Sequence, residues 1–399
     1  MKRQKKKLEF ILTNLDKLCQ KESKALKELK NSHSIIIYGA GRAFYTFLIH
    51  AAKRYNLKSK IKLIIDKNKF FNKIEGIEVI SPMEFNPSSV ERNTPILITV
   101  TDKKENRKIK NFLEELGCKK IYFLAEIPEL LFFVHPSKNF LKDPLNYTKK
   151  QLKLIIEAYK LLKDEKSKKI FIVFLETYIT KKFIKFPSDL PEDQYFPKDV
   201  PIVYKNYSHF IDVGAWIGDT LIELFRRYGE VDQVIAFEPD IKNFEKLTNL
   251  LTSLKVAKET IILPLGIGKE TNIFYYSPAG PETFLSENIS INYKQTNKQT
   301  NKQILPAISV ALDDILLNTK VSFIKMDIEG MEKEAIEGAK KIIQTQRPVL
   351  AICVYHKFEH LYEIPVLLEK FCPNAYDFYL RTYRYFGMET VLYVVPKRV

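Results

Sequence analysis

The chain of 399 residues is longer than the size at which a single hydrophobic core stops growing, so we expect two domains. Apolar residues make up 45% of it and aromatic residues 12%, which excludes a disordered or low-complexity chain for most of the sequence. The formal net charge is +16, and residues 1–30, with ten Lys/Arg and four Asp/Glu, carry +6 of it. Such an excess fits a phosphate-rich partner or a membrane surface, but a Lys-rich composition alone explains it equally well. We expect no nucleic-acid partner, and a peripheral membrane contact stays open.

The cysteines and the apolar runs indicate the compartment. Cys19, Cys118, Cys353 and Cys372 lie far apart without a CxxC pair, which argues against a disulfide framework and against a thiolate zinc site. No apolar run approaches the roughly 20 residues that cross a bilayer. The N-terminal sequence MKRQKKKLEFILTNLDKL is typical of an amphipathic helix and not of a signal peptide. We therefore expect a cytoplasmic protein without a transmembrane segment.

Residues 1–126 are predicted to form a small Rossmann-like α/β domain with a basic N-terminal helix. A β-branched run at 34–38 leads into Gly39-Ala40-Gly41 and then into an apolar-periodic stretch, the order strand, glycine turn, helix. The remaining elements predicted here are a helix at 104–116 and strands at 61–65, 77–80, 95–100 and 120–124. Residues 127–205 show helical spacing and are predicted to be a helical connector, which ends where several prolines break the pattern.

Strand and helix patterns alternate again over residues 206–399. Strands are predicted at 209–213, 233–237, 260–265, 321–326, 348–355, 376–380 and 390–395, and helices at 219–228, 242–254 and 331–343. This order is typical of a doubly wound α/β sheet that ends in an antiparallel hairpin. Within an insertion, the tandem repeat KQTNKQTNKQ at 294–303 is predicted to be a solvated loop.

The chemistry is expected where the first of these strands meets its helix. Gly214 and Gly218 fall in the string HFIDVGAWIGDT, where a backbone without Cβ can lie against a ligand, and Asp219 and Thr220 follow at the helix N-terminus. The next strand ends at Glu238, 26 residues after Asp212, and is followed by Pro239. A carboxylate at that place can accept hydrogen bonds from both hydroxyls of a ribose. The sequence therefore predicts an adenosine-type site.

Four collinear strings resemble the FkbM family of S-adenosylmethionine-dependent methyltransferases: HFIDVGAWIGDT, VIAFEPD, FIKMDIEGMEKEAIEGAKKII and RPVLAICVYHKFEHLYEIP. The resemblance covers about residues 147–396. It implies a class I methyltransferase fold, S-adenosylmethionine as methyl donor, and O-methylation of a sugar or other hydroxyl on a cell-surface glycan, such as a capsular polysaccharide, or on a secondary metabolite. It also implies that Asp212, Gly214, Gly218 and Glu238 are cofactor residues.

A further string, DQYF, often precedes the first strand in similar proteins and is matched here by residues 193–196. The resemblance implies that Gln194, Tyr195 and Phe196 cover the cofactor. Trp216 occupies a variable position of the glycine motif, and no role is carried over to it.

Candidate acid–base groups follow two neighbouring strands. Asp327 and Glu329 come after FIKM, and His356 comes after AICVY, so all three should lie at the carboxyl edge of the sheet. His356 is the first candidate for the general base, because an unperturbed pKa near 6.5 suits that task, and Asp327 is either the alternative base or the group that orients the acceptor hydroxyl. Helix capping by Asp327 and a purely structural His356 remain open. Arg381 and Tyr383 are predicted to hold a sugar or a phosphate.

We expect no metal requirement. Residues 356–360 match HxxEH, the inverted zinc-protease motif, but the motif follows a strand and is soon interrupted by Pro365. Asp327 and Glu329 alone are too few ligands for a magnesium site.

Two other function classes stay open. Gly39 and Gly41, with Asp66 27 residues after Gly39, could form the pocket of a nucleotide-binding oxidoreductase or sugar-nucleotide enzyme, although Phe44 stands where GxGxxG has its third glycine. A scaffold or homodimer contact is the alternative for that domain. The whole chain could also be a non-catalytic glycan-assembly module. A nucleic-acid methyltransferase is disfavoured, because no Asn/Asp-Pro-Pro-aromatic string is present.

Overall fold

The computed structural model describes residues 2–49, 51–89, 93–100, 102–130, 138–182, 184–277, 284–286, 305–384 and 387–397, and the predicted repeat at 294–303 lies outside them. The chain divides into two compact units, one formed by residues 1–150 with 172–186 and the other by residues 151–171 with 187–399. The boundaries at residues 150 and 171 both fall inside the predicted connector.

The first unit contains a six-stranded sheet in the order β3-β4-β2-β1-β5-β6, parallel except for the β3–β4 pair. Its central strand reads IIIY and is buried along its whole length, as both faces of the sheet are covered. Parallel strands spreading in both directions from the first strand form the Rossmann-like arrangement that the sequence predicts. The strands of this unit are β1 (Ile35–Tyr38), β2 (Ile61–Ile65), β3 (Lys73–Ile74), β4 (Ile77–Ile80), β5 (Ile96–Ile98) and β6 (Ile121–Phe123).

Nine α-helices among the described residues belong to the first 180 residues of the chain. Asp102 and Ser23 each cap a helix by accepting hydrogen bonds from backbone amides of its first turn. The helices are α1 (Lys2–Thr13), α2 (Leu15–Leu18), α3 (Lys24–Asn31), α4 (Arg42–Ile49), α5 (Ala51–Arg54), α6 (Lys103–Glu115), α7 (Lys138–Lys142), α8 (Pro144–Leu161) and α9 (Glu165–Thr180). None of the helices among the described residues is long and apolar enough to cross a membrane.

The second unit is built on a seven-stranded sheet in the order β16-β17-β15-β14-β7-β8-β9, in which only β17 runs antiparallel to its neighbours. This confirms the predicted doubly wound sheet with a terminal antiparallel hairpin. Its strands are β7 (His209–Val213), β8 (Val231–Phe237), β9 (Ala257–Leu263), β14 (Phe323–Met326), β15 (Val349–Cys353), β16 (Tyr376–Thr382) and β17 (Thr390–Pro396). β7 and β14 are adjacent at the centre of the sheet. The strands that follow β7 extend the sheet to one side and those that follow β14 extend it to the other, so a ligand crevice is expected at the carboxyl ends of β7 and β14.

Helices and a second, smaller sheet complete this unit. The sequence did not predict that four-stranded sheet, in the order β10-β13-β11-β12, which occupies the insertion after β9. The helix predicted at 331–343 is instead two helices. Gly338, between them, lies against the backbone of Gly268, where a Cβ would stand 2.1 Å from the carbonyl oxygen. The elements are α10 (Asp219–Tyr228), α11 (Ile241–Ser253), β10 (Gly266–Ile267), β11 (Asn272–Ser277), β12 (Phe284–Ser286), β13 (Leu305–Val310), α12 (Leu312–Leu316), α13 (Glu332–Glu337), α14 (Lys340–Gln346) and α15 (His360–Phe371).

Candidate active site

The glycine turn after β7 is shaped by its packing against the neighbouring strand and helix. Gly214 has φ +81°, and a Cβ there would lie 2.1 Å from the carbonyl oxygen of Asp327. Gly218 has φ +89° and precedes α10, where a Cβ would lie 2.6 Å from Leu250 Cδ2. Both positions therefore require glycine for the conformation and packing of the turn itself, in addition to any close approach of a ligand.

A buried ion pair lies beneath this turn. Asp212 on β7 and Lys325 on β14 are register partners, and their side chains meet at 2.9 Å. Burial raises the pKa of Asp212 against the effect of Lys325. Burial lowers the pKa of Lys325, but the Asp212 carboxylate outweighs it and leaves that pKa raised. Because Lys325 Nζ also donates to the Gly214 carbonyl at 2.5 Å, Asp212 acts on the turn through this lysine. Lys325 was not predicted as a site residue, although a charged residue inside the apolar run FIKM could have indicated it.

Glu238 stands at the carboxyl end of β8 with both oxygens held by backbone amides. Its Oε2 accepts from the Trp216 amide and its Oε1 from the Asp240 amide, each at 2.9 Å. Burial raises the pKa of Glu238 to about 7, and the two amide bonds oppose this shift. Among the described residues no ion pair to this carboxylate is found. Trp216, at a variable motif position, thus contributes its backbone amide to the site whatever its side chain does.

The residues that flank Glu238 and the glycine turn differ in their exposure to solvent. Asp219 is exposed at the first position of α10, where its Oδ1 accepts from the Thr220 amide at 2.9 Å, and Thr220 itself is buried. Pro239 is half-buried next to Glu238.

The loop after β14 is wrapped around a fully buried carboxylate, Glu332. Its Oε1 accepts from the amides of Ile328 (3.1 Å) and Gly330 (3.2 Å) and lies 2.7 Å from His356 Nδ1, while its Oε2 lies 3.1 Å from His360 Nδ1. The two histidines hold the pKa of Glu332 well below its usual range although burial acts in the opposite direction. Glu332 therefore fixes both the loop that carries Glu329 and the orientation of the His356 ring.

His356 does not have the ordinary pKa on which its selection as general base rested. The ring is 2% exposed, and its Nε2 lies 3.5 Å from Asp327 Oδ1 and 3.5 Å from Glu329 Oε2. Burial lowers the pKa, but Glu332, Glu329 and Asp327 together outweigh burial and raise it to about 10. Near neutral pH this histidine carries a proton on each nitrogen and cannot accept one.

Asp327 lies at the centre of a cluster of hydroxyl groups. The Tyr195 hydroxyl donates to its Oδ2 at 2.8 Å and also lies 3.3 Å from Cys353 Sγ, and the Tyr355 hydroxyl lies 3.4 Å from its Oδ1. The side chains of Asp327 and Glu329 remain 24% and 30% exposed, so they can be reached from outside. The carboxyl edge of β14 and β15 is thus an acidic edge that buried donors hold in place.

Residues 212–385 match the family model of the methyltransferase FkbM domain. This part of the chain is an FkbM methyltransferase domain. The fold is similar to that of methyltransferase FkbM from Methylobacillus flagellatus KT, with a TM-score of 0.72 and 18% sequence identity over 97% of this chain and 99% of that chain. A search of curated proteins finds no match. The family resemblance and the class I methyltransferase-like fold expected from the sequence are both confirmed.

The segment DQYF precedes the FkbM domain in the second unit, and its side chains are divided between the acidic edge and the core. Tyr195 contacts Asp327 as described, and Gln194 Nε2 donates to Glu389 Oε2 at 2.7 Å. Phe196 is 2% exposed and packs in an aromatic cluster with Tyr207, at 5.3 Å between ring centroids. Two of the three side chains predicted to cover the cofactor therefore face the edge at which the acceptor is expected.

The substrate role predicted for Arg381 and Tyr383 is not supported. Arg381 is 1% exposed, and its guanidinium pairs with Asp164 at 2.7 Å and with Asp199 at 2.8 Å. The Tyr383 hydroxyl lies 2.7 Å from that of Tyr393 in the core. Because both side chains are occupied by partners within the second unit, we assign them to its packing.

The HxxEH string does not lie on a single helix, as its position after a strand led us to expect. His356 precedes α15 and His360 is its first residue, so the string is not contained in one helix. The two Nδ1 atoms approach the two oxygens of Glu332. This pairing differs from the arrangement of a zinc protease, in which the histidines and the glutamate share one helix.

Proposed function

We propose that this methyltransferase depends on S-adenosylmethionine and transfers the methyl group to a hydroxyl of a sugar or of a cell-surface glycan precursor. The observation that carries the proposal is the placement of two different sites around one topological switch point. The glycine turn and Glu238 lie beside β7 and β8, and the acidic edge of Asp327 and Glu329 lies beside β14 and β15. S-adenosylmethionine, when bound, supplies a methyl group on a sulfonium centre.

The residues of the turn fit an adenosyl ligand. Glu238 is a buried carboxylate without a cationic partner among the described residues; it accepts one backbone amide on each oxygen and a side-chain hydrogen bond from Asn243. A carboxylate oxygen can accept more than one hydrogen bond, so acceptor capacity remains. Ribose hydroxyls are donors of the kind that such a carboxylate binds. Gly214 and the amide of Trp216 lie in the turn after β7, and Asp219 and Thr220 are the first two residues of α10. We assign cofactor binding to this group, with Asp212 supporting it through Lys325.

At the acidic edge, Asp327 and Glu329 receive the acceptor hydroxyl. Carboxylates accept the hydrogen bond of a hydroxyl and gain its proton as the oxygen attacks the methyl group. Asp327 takes this role, which His356 cannot fill while it is protonated. Tyr195 and Tyr355 orient Asp327, and His356 holds Asp327 and Glu329 together.

Transfer of a labelled methyl group tests the proposal. The protein is incubated with S-adenosylmethionine carrying a trideuterated methyl group and with a panel of free sugars, nucleotide sugars and glycan fragments. We expect the label on a hydroxyl of one of these acceptors by mass spectrometry. Label found only on amines, or only on nucleic acid, contradicts the proposal.

The affinity for S-adenosylhomocysteine should depend on pH through Glu238. Its pKa of about 7 leaves roughly a tenth of the carboxylates ionised at pH 6 and roughly nine tenths at pH 8, and only the ionised form accepts from both ribose hydroxyls. Because apparent affinity scales with the competent fraction, binding should tighten about tenfold over this interval. Calorimetry at the two pH values measures this, and a flat profile shows that Glu238 does not contact the ribose.

A second ligand site in the first unit is favoured by a repeated contact. Asp66, at the carboxyl end of β2, accepts from the Ala40 amide of the glycine turn at 2.6 Å, as Glu238 accepts from Trp216. We propose that this turn binds the nucleotide of a sugar-nucleotide acceptor, with a scaffold or homodimer role as the alternative.

The variant Asp66→Ala in the full chain tests whether the two units bind different ligands. We expect lost binding of uridine diphosphate, the probe for the acceptor nucleotide, and S-adenosylhomocysteine affinity within about tenfold of wild type, or 1.4 kcal/mol. Glu78→Ala on the neighbouring strand β4 is the control. Calorimetry with both ligands measures this. Absence of uridine diphosphate binding in the wild type removes the acceptor-nucleotide role.

A further inference from the structure

We propose that the outer face of α1 binds the surface of an anionic lipid bilayer. This helix reads KRQKKKLEFILT, with five basic residues and a single acidic one, Glu9. Leu8 and Ile11 on its inner face are buried, at 4% and 1% exposure, and attach the helix to the first unit. Since the inner face is occupied by this packing, the opposite face is turned towards the solvent.

Two cations and one aromatic ring are neighbours on the outer face. Arg3, Lys6 and Phe10 are spaced by three and four residues, which places them on one side of a helix. All three are exposed, and Phe10 leaves 59% of its surface open to solvent. Helices that lie in a membrane interface combine these groups, because cations attract anionic headgroups while an aromatic ring enters the boundary of the acyl chains.

The carboxylates that pair with α1 leave Arg3 and Lys6, the outer cations, uncompensated. Glu9 is 3.9 Å from Lys5 on the same helix, and Glu176 of α9 is 2.6 Å from Lys7. Within the described ranges, no ion pair to either of the outer cations is found. Their charge is therefore available to an anionic surface that approaches to within a Debye length, about 8 Å at physiological salt.

The single exposed ring favours a bilayer over a nucleic acid. Proteins that bind single strands track the phosphates along a basic groove and stack successive bases on several aromatic side chains. Helix α1 contains one aromatic residue, Phe10, and presents it on the convex outer face of the helix. One ring among exposed cations suits shallow insertion below lipid headgroups.

Sedimentation of the full chain with lipid vesicles tests this surface. One set of sucrose-loaded vesicles contains equal parts of phosphatidylglycerol and phosphatidylcholine, and the other set contains phosphatidylcholine alone. We expect the wild type to bind the anionic vesicles at least tenfold more tightly than the neutral ones at about 0.1 M NaCl. Raising the salt to about 0.5 M should weaken that binding at least tenfold, because salt screens exposed charges.

Two variants remove the groups that carry the proposal. The double variant Arg3→Glu with Lys6→Glu should bind the anionic vesicles at least tenfold more weakly, since each basic residue near an anionic surface contributes to the attraction. Phe10→Ser should bind about fivefold more weakly, because it removes the apolar contact. Thermal unfolding verifies that these exposed replacements leave the chain folded.

Each variant has a matched control. Lys242→Glu with Lys246→Glu reverses two exposed charges of α11, for which no ion pair is found among the described residues. Phe71→Ser removes a phenylalanine of nearly equal exposure, 60%. Both controls should bind the anionic vesicles like the wild type.

Three results overturn the proposal. The first is a wild type that does not bind anionic vesicles, and the second is equal weakening by the reversal on α11 and by the reversal of the outer cations. The third is binding of polyuridylic acid that depends on the outer cations, without binding of vesicles, which would make the outer face of α1 a nucleic-acid surface. Loss of vesicle binding in the outer-cation variant, with both controls unchanged, supports the proposal.

Discussion

Glu238→Ala should weaken S-adenosylhomocysteine binding by about 1–3 kcal/mol, roughly 5- to 150-fold, without unfolding the chain. The variant loses the carboxylate that we propose accepts from the ribose hydroxyls. It also releases the amides of Trp216 and Asp240, which the carboxylate holds at 2.9 Å. Calorimetric titration measures the change, and thermal unfolding without ligand verifies that the variant is folded.

Glu259→Ala is the matched control for this variant. Glu259 is exposed on β9, where it accepts from Gln233 on the neighbouring strand, and its loss should leave ligand affinity unchanged. If Glu238→Ala retains the wild-type affinity, the ribose assignment is wrong.

Asp327→Asn should lower kcat by roughly 100- to 10,000-fold, the usual range for removing a general base. The amide keeps the shape of the side chain and its contact with Tyr195, so S-adenosylhomocysteine affinity should stay within about threefold of wild type. Steady-state kinetics on the acceptor identified by methyl labelling measures kcat. Asp314→Asn, an exposed position in α12, serves as the control.

The same assay on His356→Ala distinguishes Asp327 from the histidine as the proton acceptor. We expect that variant to lose kcat as well, because Asp327 and Glu329 lose the group between them. Nearly full activity in Asp327→Asn together with a large loss in His356→Ala would return the general-base role to His356.

Much of the fold followed from local patterns. The buried strand IIIY, the glycine turns and the spacing from Asp212 to Glu238 are properties of short segments, and the observed strands at these places agree with the predictions within a few residues. The small sheet β10–β13 was missed although β11 reads NIFYYS, because its partner strand β13 lies on the far side of the insertion and no local pattern shows that pairing. The predicted helix is interrupted at Gly338, which packs against Gly268, 70 residues away, and no local pattern shows that contact.

The site was predictable in its location but not in its electrostatics. The rule that ligands bind at the carboxyl ends of parallel strands places Asp327, Glu329 and His356 at one edge. The raised pKa of His356 depends on its distances to three carboxylates, including the buried Glu332, and no sequence spacing gives those distances. The role of Lys325 likewise depends on its register partner Asp212, and the sequence alone does not show that pairing.

Titration of the full chain with S-adenosylhomocysteine and, separately, with NAD⁺ tests the central claim most directly. We expect one S-adenosylhomocysteine bound per chain, with an affinity that Glu238→Ala reduces, and no heat from NAD⁺ that depends on Glu238. Binding of NAD⁺ that requires Asp66, together with no binding of S-adenosylhomocysteine, would contradict our proposal that this methyltransferase depends on S-adenosylmethionine.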